Sequence, residues 1–191
     1  MPGKMSKGFY IGGYFAGFGV SVILLVAVIV TFVALAAQDP HNQGPPLAMF
    51  GFMALASLPA LFSMVVLFMF IYRMWASIQD GQARMTPGKA VGFCFIPLFN
   101  LYWMFPVFQG FAEDYNTYLA RRGLNLQRLN DQLFLSYPIM VLFSAIPYLG
   151  MLASPVALVI LVLIISKTCD AVNALNHVPS VPAAAPMVAG I

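Results

Sequence analysis

Four stretches of this chain, residues 8–38, 47–72, 90–112 and 132–166, contain no charged side chain. That constrains the fold more than any other feature, because about 20 consecutive apolar residues in a helix cross the roughly 30 Å hydrocarbon layer of a membrane. Composition agrees: 61% of residues are hydrophobic, only 8% are charged and mean hydropathy is +0.88, whereas soluble domains carry about 25% charged residues. The 191 residues suit one multi-pass membrane domain, with no room for a separate soluble catalytic domain. Any activity must then sit in or against the bilayer.

Lys4 and Lys7 precede the first apolar run, which ends in Ala34-Leu-Ala-Ala-Gln38 and so looks like a secretory signal. A signal-peptide core is only about 7–15 residues long, so this run reads instead as an uncleaved anchor with a first span over about 14–37. Residues 38–46 concentrate Asp, Asn, Gly and Pro into a polar loop containing His41. A second span covers about 47–72, with Pro59 as a kink. The run 132–166 is too long for one crossing, and Pro147-Tyr-Leu-Gly150 divides it into spans at about 133–146 and 151–168. The first of these is short enough to require tilt, an upstream extension or thinned lipid. Residues 1–177 therefore form the membrane domain, and the Pro/Ala-rich tail 178–191 has no helix-forming pattern.

Between the second span and the long run lies Thr86-Pro-Gly-Lys-Ala-Val-Gly-Phe-Cys-Phe-Ile-Pro97-Leu-Phe-Asn100-Leu-Tyr-Trp-Met-Phe-Pro106. Proline removes a backbone donor and clashes with the preceding turn, so residues 90–111 are expected to form a broken, re-entrant or interfacial element. Short amphipathic helices flank it. One continues the second span through 73–84 with Trp75 at the interface; the other covers 113–123, with acids at its start, arginines at its end and Gly123 as its cap. The expected fold is thus all-α integral membrane, about four transmembrane helices plus this element. With the amino terminus inside, Lys4, Lys7, Arg73, Arg84, Lys89, Arg121, Arg122, Arg128 and Lys167 all fall on the cytoplasmic side, as do both termini. A fifth crossing would place Arg121, Arg122, Arg128 and Lys167 outside.

Chemistry is sparse. Cys94 and Cys169 are far apart, His41 and His177 lie outside any metal-ligand spacing, and no phosphate loop or nucleophile elbow occurs, so no catalytic, metal or cofactor site is expected. A net charge of +3 without a basic cluster excludes a nucleic-acid footprint. The candidate residues surround the broken element: Asn100, Gln109, Glu113 and Asp114, with Gln79, Asp80 and Lys89 at its start. Irregular backbone at membrane depth persists only when buried in protein or lining a wet cavity. The structural alternative has Asn100 capping carbonyls beside Pro97 and Lys89 pairing with Asp80. At the end of the last span Lys167 pairs with Asp170 or snorkels. Gly8, Gly12, Gly13 and Gly17 form a close-packing face on the first span, with an internal partner expected.

The segment Asp80-Gly, Thr86-Pro-Gly-Lys-Ala-Val-Gly, Ile96-Pro-Leu-Phe-Asn100-Leu-Tyr-Trp103 and Glu113-Asp-Tyr-Asn116 resembles a bacterial family of small multi-pass membrane proteins classed as a domain of unknown function. The resemblance covers roughly 72–122. It implies a bacterial inner-membrane location, with Pro87, Gly88, Pro97 and Asn100 in the core of the domain, and brings no activity. The expected function is a non-enzymatic accessory or scaffold subunit of a larger membrane assembly, in contact with other membrane proteins or its own copies. A small channel or transporter with a path past Asn100 and Gln109 is the alternative. A lipid-directed enzyme would need Glu113, Asp114 or Asp80 as acid or base.

Overall fold

The computed structural model describes residues 3–38 and 47–178. The loop containing His41 and the tail from Pro179 lie outside the described residues. Within them the chain is helical, with no strand: α1 (Lys7–Gln38), α2 (Leu47–Ala76), α3 (Pro87–Gly92), a 3₁₀ turn (Phe93–Phe95), α4 (Phe99–Arg121), α5 (Asp131–Ser144) and α6 (Leu149–His177). Three of these, α1, α2 and α6, are long and apolar enough to cross a membrane. The fold is therefore an all-α, membrane-type one.

Helices α1 and α2 pack as an antiparallel pair. Lipid gives no hydrophobic drive for helix association, so close contact and hydrogen bonds must supply it. At Gly17 a Cβ would lie 2.5 Å from both the Pro59 carbonyl oxygen and Ser63 Oγ, so only glycine admits this approach. Gly13, one turn away, faces Val66 at ordinary contact distance. Ser63 Oγ donates to the Tyr14 carbonyl at 2.7 Å, and Ser21 Oγ donates to the Ala56 carbonyl at 2.8 Å. The expected internal partner of the Gly13 and Gly17 face is thus α2.

Helices α4, α5 and α6 complete the bundle against the second half of α2. Trp75 Nε1 donates to the Val107 carbonyl at 3.1 Å, and its indole packs edge-on to Phe111. Phe108 meets Tyr137 with ring centroids 4.7 Å apart, and Phe111 neighbours Phe134. Trp75, Phe108, Phe111, Phe134, Leu161 and Ile164 are fully buried. The centre of the bundle is filled by these side chains.

The broken region differs from the sequence expectation in extent. The irregular backbone is confined to 93–98, and α4 runs unbroken through Pro106 to Arg121. One proline frees a single carbonyl and one turn of geometry, which a long packed helix absorbs. The polar segment 113–121 is therefore the end of α4 and no helix of its own. It closes on Gly123, at φ +61°, where the Gly123 N–H donates to the Ala120 carbonyl and the Leu124 N–H to the Leu119 carbonyl at 3.0 Å. That is the paired bonding of a Schellman cap. Conversely, α2 stops at Ala76 rather than continuing to residue 84, and a loop containing Gly81 at φ +84° follows.

Candidate functional site

Contacts gather the charged ends of the elements at one end of the bundle. Lys7 reaches Asp170 at 2.7 Å, Arg121 reaches Asp80 at 2.9 Å, and Arg84 holds Glu113 at 2.8 Å and Asp114 at 2.7 Å. The Arg84 backbone N–H also donates to Asp114, at 2.8 Å. Burial alone would lower the Arg84 pKa, but its hydrogen bonds to Glu113 and Asp114 outweigh that and hold it above the ordinary arginine value. Gln109 Nε2 donates to Glu113 Oε1 at 3.0 Å, which orients the carboxylate from the other side. Gln79 Nε2 donates to the Trp75 and Met85 carbonyls and so closes the loop between α2 and α3.

Of the pairings that the sequence leaves open, neither Lys89 with Asp80 nor Lys167 with Asp170 is formed. Asp80 takes Arg121 as its partner, and Lys89 stands exposed on α3. The reason is the unbroken α4, whose length carries Arg121 to the 77–86 loop. Asp170 is taken by Lys7 of α1, so it does not pair with Lys167 along its own helix. Around Lys89 the local structure follows from sequence: Thr86 Oγ1 accepts from the Lys89 N–H at 3.3 Å, and Pro87 occupies the first helical turn, with Gly88 behind it. Threonine at the cap and proline just inside are the usual start of a helix.

Asn100 makes no side-chain hydrogen bond among the described residues, so its Nδ2 caps no carbonyl, and its Oδ1 is buried without a partner. The bend beside Pro97 is held by backbone instead: the Phe99 N–H donates to the Pro97 carbonyl at 2.6 Å and the Asn100 N–H to the Ile96 carbonyl at 2.9 Å, with Leu98 at φ +60°, ψ −48°. This is a γ-turn of the rare, strained hand. Trp103 fastens the turn to α3, since its Nε1 donates to the Ala90 carbonyl at 3.2 Å and its ring meets Phe93 and Phe99.

The same turn recurs between α5 and α6. There the Leu149 N–H donates to the Pro147 carbonyl at 2.8 Å and the Gly150 N–H to the Ile146 carbonyl at 2.9 Å, with Tyr148 at φ +66°, ψ −47°. Both turn residues are exposed, Leu98 at 85% and Tyr148 at 89%. The dipeptide Ile-Pro at 96–97 and again at 146–147 is the sequence signal of this repeat. Two further residues were not legible as site residues: Asn116 and Asn173, each of which grips backbone of another segment.

No group of three or more His, Cys, Asp or Glu side chains able to hold a metal occurs among the described residues. The carboxylates that sequence marks as candidates, Asp80, Glu113 and Asp114, are each ion-paired with an arginine. Their arrangement fixes helix ends to one another. No family model, curated protein or solved structure matches the chain.

Proposed function

We propose that the protein is a non-enzymatic scaffold or accessory subunit of a membrane assembly, and that the outward face of α1 is where it meets a partner helix. The observation that carries this reading is a division of the α1 glycines into two faces. Gly13 and Gly17 are spent on α2. Gly12 and Gly19 would meet nothing within 4 Å if given a Cβ, and Gly8 would meet only the Ser6 hydroxyl, at 4.0 Å. Spacings of four and seven residues put Gly8, Gly12 and Gly19 on one helix face. Small residues let a second backbone come close in lipid. Only 6% of the apolar window of α1 is buried, against 28% for α2 and for α6.

The ion pairs of Asp80, Glu113 and Asp114 with Arg121 and Arg84 tie the loop after α2 to α4, and this structural use of the three carboxylates supports the scaffold reading. The placement we propose is a bacterial inner membrane, with the charged end and both termini in the cytoplasm and the α3–α4 hairpin entering from that side. From Phe99 to Glu113 the helix rises about 21 Å at 1.5 Å per residue, short of the roughly 30 Å hydrocarbon layer. On that measure the hairpin turns back at Leu98 within the membrane as a re-entrant element, while α5, with only 14 residues, joins α1, α2 and α6 as a fourth span by tilting or by thinning the lipid around it. The test of function is isolation of the tagged protein in native nanodiscs with mass spectrometry of what accompanies it. Stoichiometric membrane partners support the subunit role, and a lone monomer refutes it.

A second reading, a small channel or transporter, is favoured by one observation: the unpartnered Oδ1 of Asn100. If a polar path passes this oxygen, Asn100→Leu abolishes flux in proteoliposomes. If Asn100 is structural, the same substitution alters only stability.

A further inference from the structure

A cavity of about 400 Å³ opens at the charged end, between the α4–α5 loop and the last turns of α6. Its lining is divided in chemistry. Arg128 of the α4–α5 loop and Lys167 of α6 bring two cations, while Leu133, Phe134 and Ala174 bring an apolar floor. Both cations are exposed, and among the described residues neither forms an ion pair. The one acid on the lining, Asp170, is neutralised by Lys7 at 2.7 Å. Asp131, nearby in sequence, is held on the α4 side by Asn116 Nδ2 at 3.1 Å.

Asn130 also lines the cavity and caps α5, its Oδ1 accepting the Gln132 N–H at 3.0 Å. Asp131 in the first turn of α5 already answers that helix end, so the positive charge of the cavity rests on Arg128 and Lys167. The loop wall is built rather than loose, because Asn116 bonds both backbone groups of Leu129 at 2.9 Å. Lys167 is the first charged residue after the uncharged stretch of α6, which sets it at the level of lipid headgroups.

We propose that this cavity binds the phosphate headgroup of an anionic phospholipid, with Arg128 and Lys167 as counter-charges and the first carbons of the lipid against Leu133 and Phe134. Cations above an apolar floor suit an amphiphile better than a free anion, and basic pockets between membrane helices take anionic headgroups.

The experiment uses the full-length protein, delipidated in detergent, titrated with phosphatidylglycerol or phosphatidylcholine and read by native mass spectrometry and melting temperature. Phosphatidylglycerol is expected to bind with preference and to raise the melting temperature. Arg128→Gln and Lys167→Gln should each weaken it about fivefold, the usual effect of one basic residue near an anionic surface. Ala174→Leu should weaken binding by filling the cavity with no change of charge. Lys89→Gln removes the same charge from an exposed position on α3 and should leave binding unchanged. Equal loss in Lys89→Gln and Lys167→Gln, or no preference over phosphatidylcholine, overturns the proposal. Equal stabilisation by inorganic phosphate and phosphatidylglycerol overturns the assignment to a lipid.

Discussion

Asn173 holds Met5 by both of its backbone polar groups: the Met5 N–H donates to Asn173 Oδ1 at 2.8 Å, and Asn173 Nδ2 donates to the Met5 carbonyl at 2.9 Å. Asn116 grips Leu129 in the same way. A carboxamide offers one acceptor and a donor side by side, which matches the N–H and C=O of one extended residue. These two clamps tie the segment before α1 to α6, and the α4–α5 loop to α4.

Loss of either clamp should be measurable. Asn173→Ala or Asn116→Ala leaves partly buried backbone groups unpaired, at a cost of about 1–3 kcal/mol. Asn116→Asp should cost more than Asn116→Ala, since a carboxylate cannot donate to the Leu129 carbonyl and would stand beside Asp131. Thermal melting in detergent checks this, and an alanine variant as stable as the parent would show that the clamp is not what holds the loop.

The two glycine faces of α1 separate fold from assembly. Gly17→Leu must push a side chain against the Pro59 carbonyl and Ser63, so the α1–α2 pair should open or shift, with a loss of about 1–3 kcal/mol or more. At Gly12 and Gly19 an added Cβ meets nothing within 4 Å, so Gly12→Leu and Gly19→Leu start into open space. They should leave the melting temperature of the isolated protein equal or higher, because glycine is a poor helix former, and should reduce partner recovery from native membranes. Unchanged recovery in both outward variants argues that lipid alone covers that face.

Much of this architecture could be read from the chain. Uncharged runs mark α1, α2 and α6, and Gly17 and Gly123 stand where close approach and a left-handed cap require glycine. What escaped has a common physical cause, in that ion pairs depend on where helix ends arrive in space. Reading Pro106 as a break cut α4 short, and with it the reach of Arg121 to Asp80. Asn116 and Asn173 look like ordinary polar residues near helix ends until the segments they grip are placed. The Ile-Pro repeat was visible at both positions, yet only the backbone shows that the two form the same turn.

Arg84 lies across Gly110 of α4, and a Cβ there would come within 2.9 Å of Nη1. Gly110→Val should therefore displace the guanidinium from Glu113 and Asp114 and mimic Arg84→Met. Because the Arg84 side chain is 42% exposed, the loss in either variant should stay near or below about 1 kcal/mol and shrink with added salt. A folded-state pKa raised above the ordinary arginine value gives stability that is complete below that value and lost only above it. This arginine's contribution should then stay flat across the neutral range. Additive losses in the double variant, by melting analysis, would show that Gly110 matters for some other reason.

Leu98 and Tyr148 hold positive φ without being glycine, and both side chains point away from the bundle, so packing within the chain does not explain the strain. A residue in such a conformation costs of order 1–3 kcal/mol. Glycine removes the clash but adds freedom to the unfolded chain, an offset of roughly 0.5–1 kcal/mol. Leu98→Gly should therefore be neutral or modestly stabilising, whereas Leu98→Ile, branched at Cβ, should lose about 1 kcal/mol or more. The Tyr148 variants should follow the same order, since the two turns share hydrogen bonds and dihedral angles. If Leu98→Gly melts well below the parent in detergent while Tyr148→Gly does not, the exposed leucine is gripping something outside this chain. The first hairpin tip would then be a contact and the second merely a bend.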